Sequence, residues 1–121
     1  MIVGLYINDF ALLNKMTDKI KDKNIKLKHI KTLPISDNSI QVLISKKRIK
    51  ECEIPQIQPD NLDILELKIK CAIFGCSDLV IGIDPGGITG LSVIGANQIL
   101  FMDTYKDEKN RSIIIDSINL E

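Results

Sequence analysis

The segment Leu79–Gly95, LVIGIDPGGITGLSVIG, constrains the fold more than any other part of the sequence. Two short apolar runs are separated by Asp-Pro-Gly-Gly, in which proline fixes one backbone dihedral and glycine permits a positive one. The chain therefore doubles back, and we expect the first run to be a buried strand that pairs with the second. Ala96-Asn97 is typical of a second tight turn, and QILFMDTY predicts a third strand. The sequence thus predicts a three-stranded antiparallel meander over about residues 78–106.

The N-terminal part, residues 1–54, has the pattern of a β-α-β-β unit. MIVGLYI predicts a buried strand, and the apolar residues that follow recur at three- and four-residue spacing, as on one face of a helix. These residues are Phe10, Leu13, Met16 and Ile20, and Asn24 is the expected end of the helix. IKLKHIKTL alternates with a period near two, and SIQVLIS predicts a further strand.

Residues 55–61 contain two prolines and little periodicity, which is typical of a linker. The sequence LDILELKIKCAIFG after them predicts a helix with one apolar stripe, formed by Leu62, Leu65, Ile69 and Ile73. The last segment, KNRSIIIDSINL, permits a helix or a strand. Residues 62–121 are therefore expected to form a helix plus a β-β-β-α unit. The two parts either remain separate or pack as a single domain with one mixed sheet.

Charge is divided unevenly along the chain although the net charge is zero. Residues 1–60 hold eleven Lys and Arg against seven Asp and Glu, and residues 61–121 hold five against nine. The basic run Lys46, Lys47, Arg48 and Lys50 has the charge to contact a DNA or RNA backbone, or it forms an ordinary solvated surface. Aromatic residues make up 4% and Trp is absent, which argues against a base-stacking platform.

The cysteine content and the apolar runs bear on the compartment. Three cysteines without a Cys-x-x-Cys pair are expected to be reduced thiols, as in cytoplasmic proteins. No apolar run approaches the roughly 20 residues of a membrane span. The opening MIVGLYI lacks the basic flank and cleavage site of a signal peptide. We therefore expect a cytoplasmic protein that does not span a membrane.

Asp84 stands where the first strand of the predicted hairpin ends, so its carboxylate is expected to be exposed at the carboxyl end of that strand. Carboxylate oxygens suit Mg²⁺ or Mn²⁺, and two such ions can stabilise the attacking and leaving oxygens of a phosphodiester displacement. A single carboxylate is not a metal site, because two or three are needed.

The segment IGIDPGGITGLSVI resembles the first hairpin of the RNase H-like nuclease superfamily, and within it the RuvC Holliday-junction resolvases and the related YqgF-type nucleases. The core of the resemblance is Ile83-Asp84-Pro85-Gly86 followed by Thr89-Gly90, and it covers about residues 78–105. It implies an RNase H-like fold and a metal-dependent nuclease in which Asp84 is a catalytic ligand of Mg²⁺ or Mn²⁺. The family pattern continues with a fourth strand that ends in a catalytic glutamate. This sequence shows no such strand, so an incomplete or inactive site is expected, or one completed from elsewhere.

One way to complete the site is a permuted sheet. If the first strand of the chain took the place of the family's fourth strand, Asp9 would lie near Asp84 and supply a second metal ligand. Alternatively, Asn8 or Asp9 caps the following helix.

Other functions remain open. The same hairpin also resembles the phosphate-binding motif of actin-like ATPases, in which Gly86, Gly87 and Thr89 would approach a phosphate. A third interpretation is a non-catalytic interaction module that forms a homodimer through an exposed strand edge.

Overall fold

The computed structural model describes residues 1–50, 52–76, 78–106 and 115. The chain divides into two compact units, Met1–Ile73 and Phe74–Glu121. The described residues form one parallel four-stranded sheet and one antiparallel three-stranded sheet, together with two α-helices. The expected α/β class is therefore confirmed.

A parallel sheet lies at the centre of the N-terminal unit. Its strands are β1 (Ile2–Tyr6), β2 (Lys26–His29), β3 (Val42–Ser45) and β4 (Gln56–Ile57). Their order across the sheet is β2-β1-β3-β4, and each neighbouring pair is parallel. Every residue of β3 is buried, as expected for a central strand of a parallel sheet that is covered on both faces.

The first helix, α1 (Phe10–Lys19), follows β1 as the periodicity predicts. Met16 is fully buried in the core. Phe10, which was expected on the apolar face, is 78% exposed. Leu12 packs against the core beside Leu13 instead. The helix also ends earlier than expected, because the backbone is already extended at Ile20.

The second helix, α2 (Leu65–Phe74), belongs to the N-terminal unit except for its last residue. It follows a short 3-10 helix, Leu62–Ile64, and ends before Gly75, which has the left-handed φ of 67° that favours glycine there. Leu65 and Ile69 are fully buried and join the core cluster of the parallel sheet.

The division of the chain differs from the expected one. Residues 55–61 were expected to be a linker, but they contain β4, in which Gln56 pairs with Leu43 and Ile57 is buried. The boundary between the compact units lies instead between Ile73 and Phe74. There are two physical reasons. A strand of two residues is too short to show a periodic pattern in the sequence, and the apolar stripe of α2 does not indicate which sheet the helix packs against.

The C-terminal unit contains the predicted meander. Its strands are β5 (Val80–Asp84), β6 (Thr89–Gly95) and β7 (Gln98–Tyr105), in the order β5-β6-β7. Ala96 and Asn97 connect β6 to β7 with φ values of 49° and 59°, as in a two-residue turn with both central residues left-handed. Except for Ile115, the segment KNRSIIIDSINL lies outside the described residues.

Strand β5 is not the buried strand that its apolar sequence predicts. Val80 is 63% exposed and Ile83 is 47% exposed, whereas Leu91 and Val93 of β6 are buried. In the part of the chain that the structure describes, β5 pairs only with β6 and is an edge strand. Its apolar composition reflects strand propensity more than burial.

The described strands form two separate sheets and not a single mixed sheet, so that alternative is wrong. Strand β1 has β2 on one edge and β3 on the other, so both of its hydrogen-bonding edges are already occupied. It therefore has no free edge with which to pair with β5.

Candidate functional site

Asp84 is the last residue of β5, opposite Gly90 of β6, and its side chain is exposed. Among the described residues, no hydrogen bond or ion pair engages its carboxylate. A Cβ at Gly90 would lie 3.5 Å from the Cβ of Asp84, which is an ordinary contact distance. The carboxylate at this strand end is thus accessible to a ligand, as the sequence predicts.

One face of the meander forms a cleft of about 610 Å³ beside Asp84. The register places six of its lining residues on this face, which we call the glycine face: Gly82, Asp84, Gly90, Ser92, Met102 and Thr104. The residues in the middle of this face are small, so their side chains do not fill the cleft. A Cβ at Gly82 would lie 2.7 Å from the Oγ of Ser92, so a larger residue at that position would force the Ser92 hydroxyl to move.

The loop after Asp84 differs from the expected tight turn. Neither Gly86 nor Gly87 has a positive φ, so the backbone does not require glycine at either position. Thr89, expected to approach a phosphate together with these glycines, is buried, with 7% of its surface exposed. The glycines leave the loop open to solvent, because a Cβ at Gly87 would contact nothing within 4 Å.

The described residues contain no group of three or more His, Cys, Asp or Glu side chains arranged to hold a metal ion. Asp103, the nearest acidic candidate in the meander, accepts a hydrogen bond from the backbone N–H of Thr104 at 2.8 Å. It lies opposite Leu91 in the register, whereas Asp84 lies opposite Gly90. Asp84 is therefore the carboxylate of β5–β7 best placed to contact a cation.

Asp9 caps α1, as the alternative interpretation of the sequence predicts. Its Oδ1 accepts a hydrogen bond from the backbone N–H of Leu12 at 3.2 Å, and its Oδ2 accepts one from the Nζ of Lys46 at 3.1 Å. The Leu12 N–H, and after it the Lys46 ammonium, lower the pKa of Asp9 below its usual value. Both carboxylate oxygens of Asp9 therefore have partners within the N-terminal unit, and the metal site shared by Asp9 and Asp84 stays a prediction.

A second cleft lies at the carboxyl ends of β1 and β3. It has a volume of about 540 Å³ and is lined by Tyr6–Asp9 and Ser45–Ile49; we call it the basic crevice. Lys46, Lys47 and Arg48 are exposed here. Lys50 is also exposed but lines a different cleft, together with Leu33 and Pro34. The structure therefore brings three of the four predicted basic residues to the carboxyl ends of β1 and β3.

Two side chains that were not among the predicted site residues hold in place the loop of residues 46–49, which follows β3. The Oγ of Ser45, a residue that is 1% exposed, donates to the carbonyl oxygen of Lys47 at 2.9 Å. The side-chain amide of Gln56 in β4 accepts from the N–H of Ile49 at 2.7 Å and donates to its carbonyl oxygen at 2.8 Å. The position of Ser45 at the end of an apolar strand was the only signal, and Gln56 gave none.

Comparison of the chain with known proteins finds no matching family model, no matching curated protein and no matching solved structure. Among the described residues, no helix has the length and apolar character needed to cross a membrane. The chemistry of the two clefts is therefore the basis for assigning a function.

Proposed function

We propose that the protein binds nucleic acid, is related to the RuvC-like nucleases and holds Mg²⁺ or Mn²⁺ through Asp84. The observation that carries the proposal is the accessible carboxylate of Asp84 at the end of β5, the first strand of a three-stranded antiparallel meander, which is the arrangement expected for the segment that resembles the family. The open loop at Gly86 and Gly87 gives a ligand access to that carboxylate. The exposed cations of the basic crevice would contact the phosphate backbone.

Hydrolysis of a phosphodiester needs more than this carboxylate. Two-metal catalysis positions ions on both sides of the reacting phosphate, which requires several acidic ligands at one place. Asp84 would supply one of them, and the remaining ligands would come from outside the described residues or from the nucleic acid itself. The proposal therefore concerns metal-assisted binding of nucleic acid, with nuclease activity conditional on those further ligands.

Mn²⁺ binding to the full chain tests the role of Asp84. We expect Asp84→Asn to weaken the affinity for Mn²⁺ by about tenfold or more, because the substitution removes the anionic ligand while keeping the shape of the side chain. Free Mn²⁺ is measured by electron paramagnetic resonance during a titration, and circular dichroism checks that the variant folds.

The matched control is Asp103→Asn, which removes a carboxylate of the same meander. It is expected to leave the affinity for Mn²⁺ unchanged. Equal affinities of the wild type and Asp84→Asn would refute the assignment of Asp84, and equal losses in the two variants would indicate only a general effect of charge.

The homodimer predicted from the sequence remains a second candidate. It is favoured by the outer edge of β5, which has no partner strand among the described residues and carries the exposed side chains of Val80 and Ile83. Unpaired strand edges of this kind are usually covered in proteins.

A further inference from the structure

The strand order of the N-terminal unit creates a particular kind of crevice. From β1 the chain passes through α1 to β2, which lies next to one edge of β1. Strand β3 lies next to the other edge of β1. The connections after β1 and after β3 therefore leave the sheet in opposite directions. In open parallel sheets, ligands bind outside the carboxyl ends of the strands where the order reverses in this way. The basic crevice lies at that position.

The basic crevice has the charge to bind an anion. Lys46, Lys47 and Arg48 line it, and the only carboxylate among its lining residues is that of Asp9. Of the three cations, only Lys46 has an ion-pair partner among the described residues, and both side chains of that pair are about half exposed. An exposed pair of this kind is weak, so an incoming dianion can compete with Asp9 for the ammonium group.

The backbone that carries these cations is fixed by the protein core. Ser45 anchors the carbonyl of Lys47, and Gln56 holds both backbone polar groups of Ile49. Loops that must be ordered on binding lose affinity, whereas a loop that is already ordered avoids this cost. The hydrogen bonds fix the direction in which the chain leaves β3, so the backbone at Lys47 and Ile49 is held in place without a ligand.

We propose that the basic crevice binds a phosphate monoester, the group carried by a mononucleotide or by the 5′ end of a nucleic-acid strand. The guanidinium of Arg48 can donate two parallel hydrogen bonds to phosphate oxygens, and the lysine ammonium groups add point charges. The cleft volume of about 540 Å³ is within the range of small-molecule sites, and Tyr6 and Asn8 in its lining offer an aromatic ring and an amide to the rest of a nucleotide.

This site does not depend on Asp84. It lies in the N-terminal unit, whereas the proposed metal ligand lies in the C-terminal unit. A failed test of metal binding therefore leaves the phosphate site standing, and the converse is also true.

The first test is a titration of the full chain with adenosine 5′-monophosphate, adenosine and inorganic phosphate, followed by ¹H–¹⁵N NMR. We expect the monophosphate to shift the backbone amide signals of Lys46–Ile49, and adenosine to leave them unchanged. Arg48→Gln is expected to weaken binding of the monophosphate by about tenfold, because a charge-assisted hydrogen bond to phosphate is lost. Lys15→Gln, which removes an exposed cation of α1 outside the crevice lining, is the matched control and should bind as the wild type does.

A second variant tests the loop without changing any cation of the crevice. Gln56→Met has a side chain of similar length that makes neither hydrogen bond to Ile49, and it adds no negative charge that would itself repel a phosphate. It is expected to weaken binding of the monophosphate while thermal unfolding still shows a folded protein. A structural role alone would change the unfolding transition and leave the affinity of the folded protein unchanged.

A pair of short oligonucleotides, with and without a 5′-phosphate, distinguishes the two sources of the group. Tighter binding of the phosphorylated strand than of the free mononucleotide identifies a strand end as the ligand, and the reverse order identifies a free nucleotide. Equal binding of the two oligonucleotides, together with no amide shifts from the mononucleotide, would overturn the proposal, as would an Arg48→Gln variant that binds normally.

Discussion

At the scale of single residues, Asp9 performs two tasks with one carboxylate. One oxygen satisfies a backbone N–H in the first turn of α1, and the other holds Lys46 at the basic crevice. Asp9 was a candidate metal ligand because its carboxylate can bind a cation. A carboxylate between a strand and a helix is, however, more commonly a helix cap. Asp84 differs because its strand leads into an open loop and not into a helix.

The pH dependence of stability tests the two tasks of Asp9. The pKa of Asp9 is lowered in the folded protein, so its ionised form stabilises the fold above the unfolded-state pKa, and this contribution is lost as the pH falls through the folded-state value. Asp9→Asn keeps a capping oxygen but removes the charge. We expect the variant to be less stable than the wild type near neutral pH and equally stable in strong acid.

Denaturation midpoints of the two proteins from about pH 7 to about pH 2 provide the measurement. Asp18→Asn controls for the change in net charge, because Asp18 is an exposed residue of the same helix. A stability difference between the wild type and Asp9→Asn that stays constant over the whole range would contradict the assignment.

At the scale of elements, hydrogen bonds and an ion pair attach α2 to the segment after α1. The Oε1 of Glu66 accepts hydrogen bonds from the N–H groups of Lys21 and Asp22, at 3.1 and 2.8 Å, and Lys70 forms an ion pair with Asp22 at 2.8 Å. Read as sequence, Glu66 and Lys70 are four residues apart and indicate an exposed helix face. Their actual partners lie more than 40 residues away, so helical spacing did not reveal them.

The substitution Ile69→Ala tests where α2 belongs. Ile69 is fully buried in the core of the parallel sheet, and truncation of such a residue costs about 3 kcal/mol of stability. Amide hydrogen exchange should become faster in β1 and β3, while β6 and β7 keep their protection. Faster exchange confined to β6 and β7 would contradict the placement of α2. Phe10→Ala, at a residue that is 78% exposed, is the control and is expected to change stability by less than about 0.5 kcal/mol.

Local chemistry accounts for the elements that could be predicted. Asp9 at a cap, the spacing of Leu13 and Met16, and Ala96-Asn97 in a two-residue turn all act within a few residues of chain, so the sequence revealed them. The order of the strands could not be predicted from the sequence, because the pairing of β1 with both β2 and β3 joins residues far apart in the chain. The candidate sites show the same difference between local and long-range features. The exposed carboxylate of Asp84 at the end of a strand was predicted, whereas the hydrogen bonds between Gln56 and Ile49 were not.

At the scale of the whole molecule, the two compact units carry opposite charge. The unit Met1–Ile73 holds thirteen Lys and Arg against nine Asp and Glu, and the unit Phe74–Glu121 holds three against seven. The boundary at Ile73 thus separates a basic part of the chain from an acidic part, with the same net charges as a division at residue 60. Affinity for polyanions is therefore expected in the first unit and affinity for cations in the second.

The salt dependence of nucleic-acid binding tests this division. Fluorescence anisotropy of a labelled DNA strand should report an affinity that falls steeply with salt, because each phosphate contact releases counterions. Replacing Lys47 and Arg48 together by Gln is expected to reduce the slope of log K against log salt by about 2. An equal reduction after Lys15→Gln and Lys23→Gln together would indicate that binding depends on net charge and not on the basic crevice.

The anchoring of Lys47 and Ile49 also has a consequence for rates. Since Ser45 and Gln56 already hold the loop in position, capture of a ligand does not wait for the loop to fold. Association is then limited by diffusion and accelerated by the positive charge of the unit, while selectivity lies in how slowly a matching ligand leaves. Such a crevice would bind many anions quickly, and only an anion that fits it would dissociate slowly.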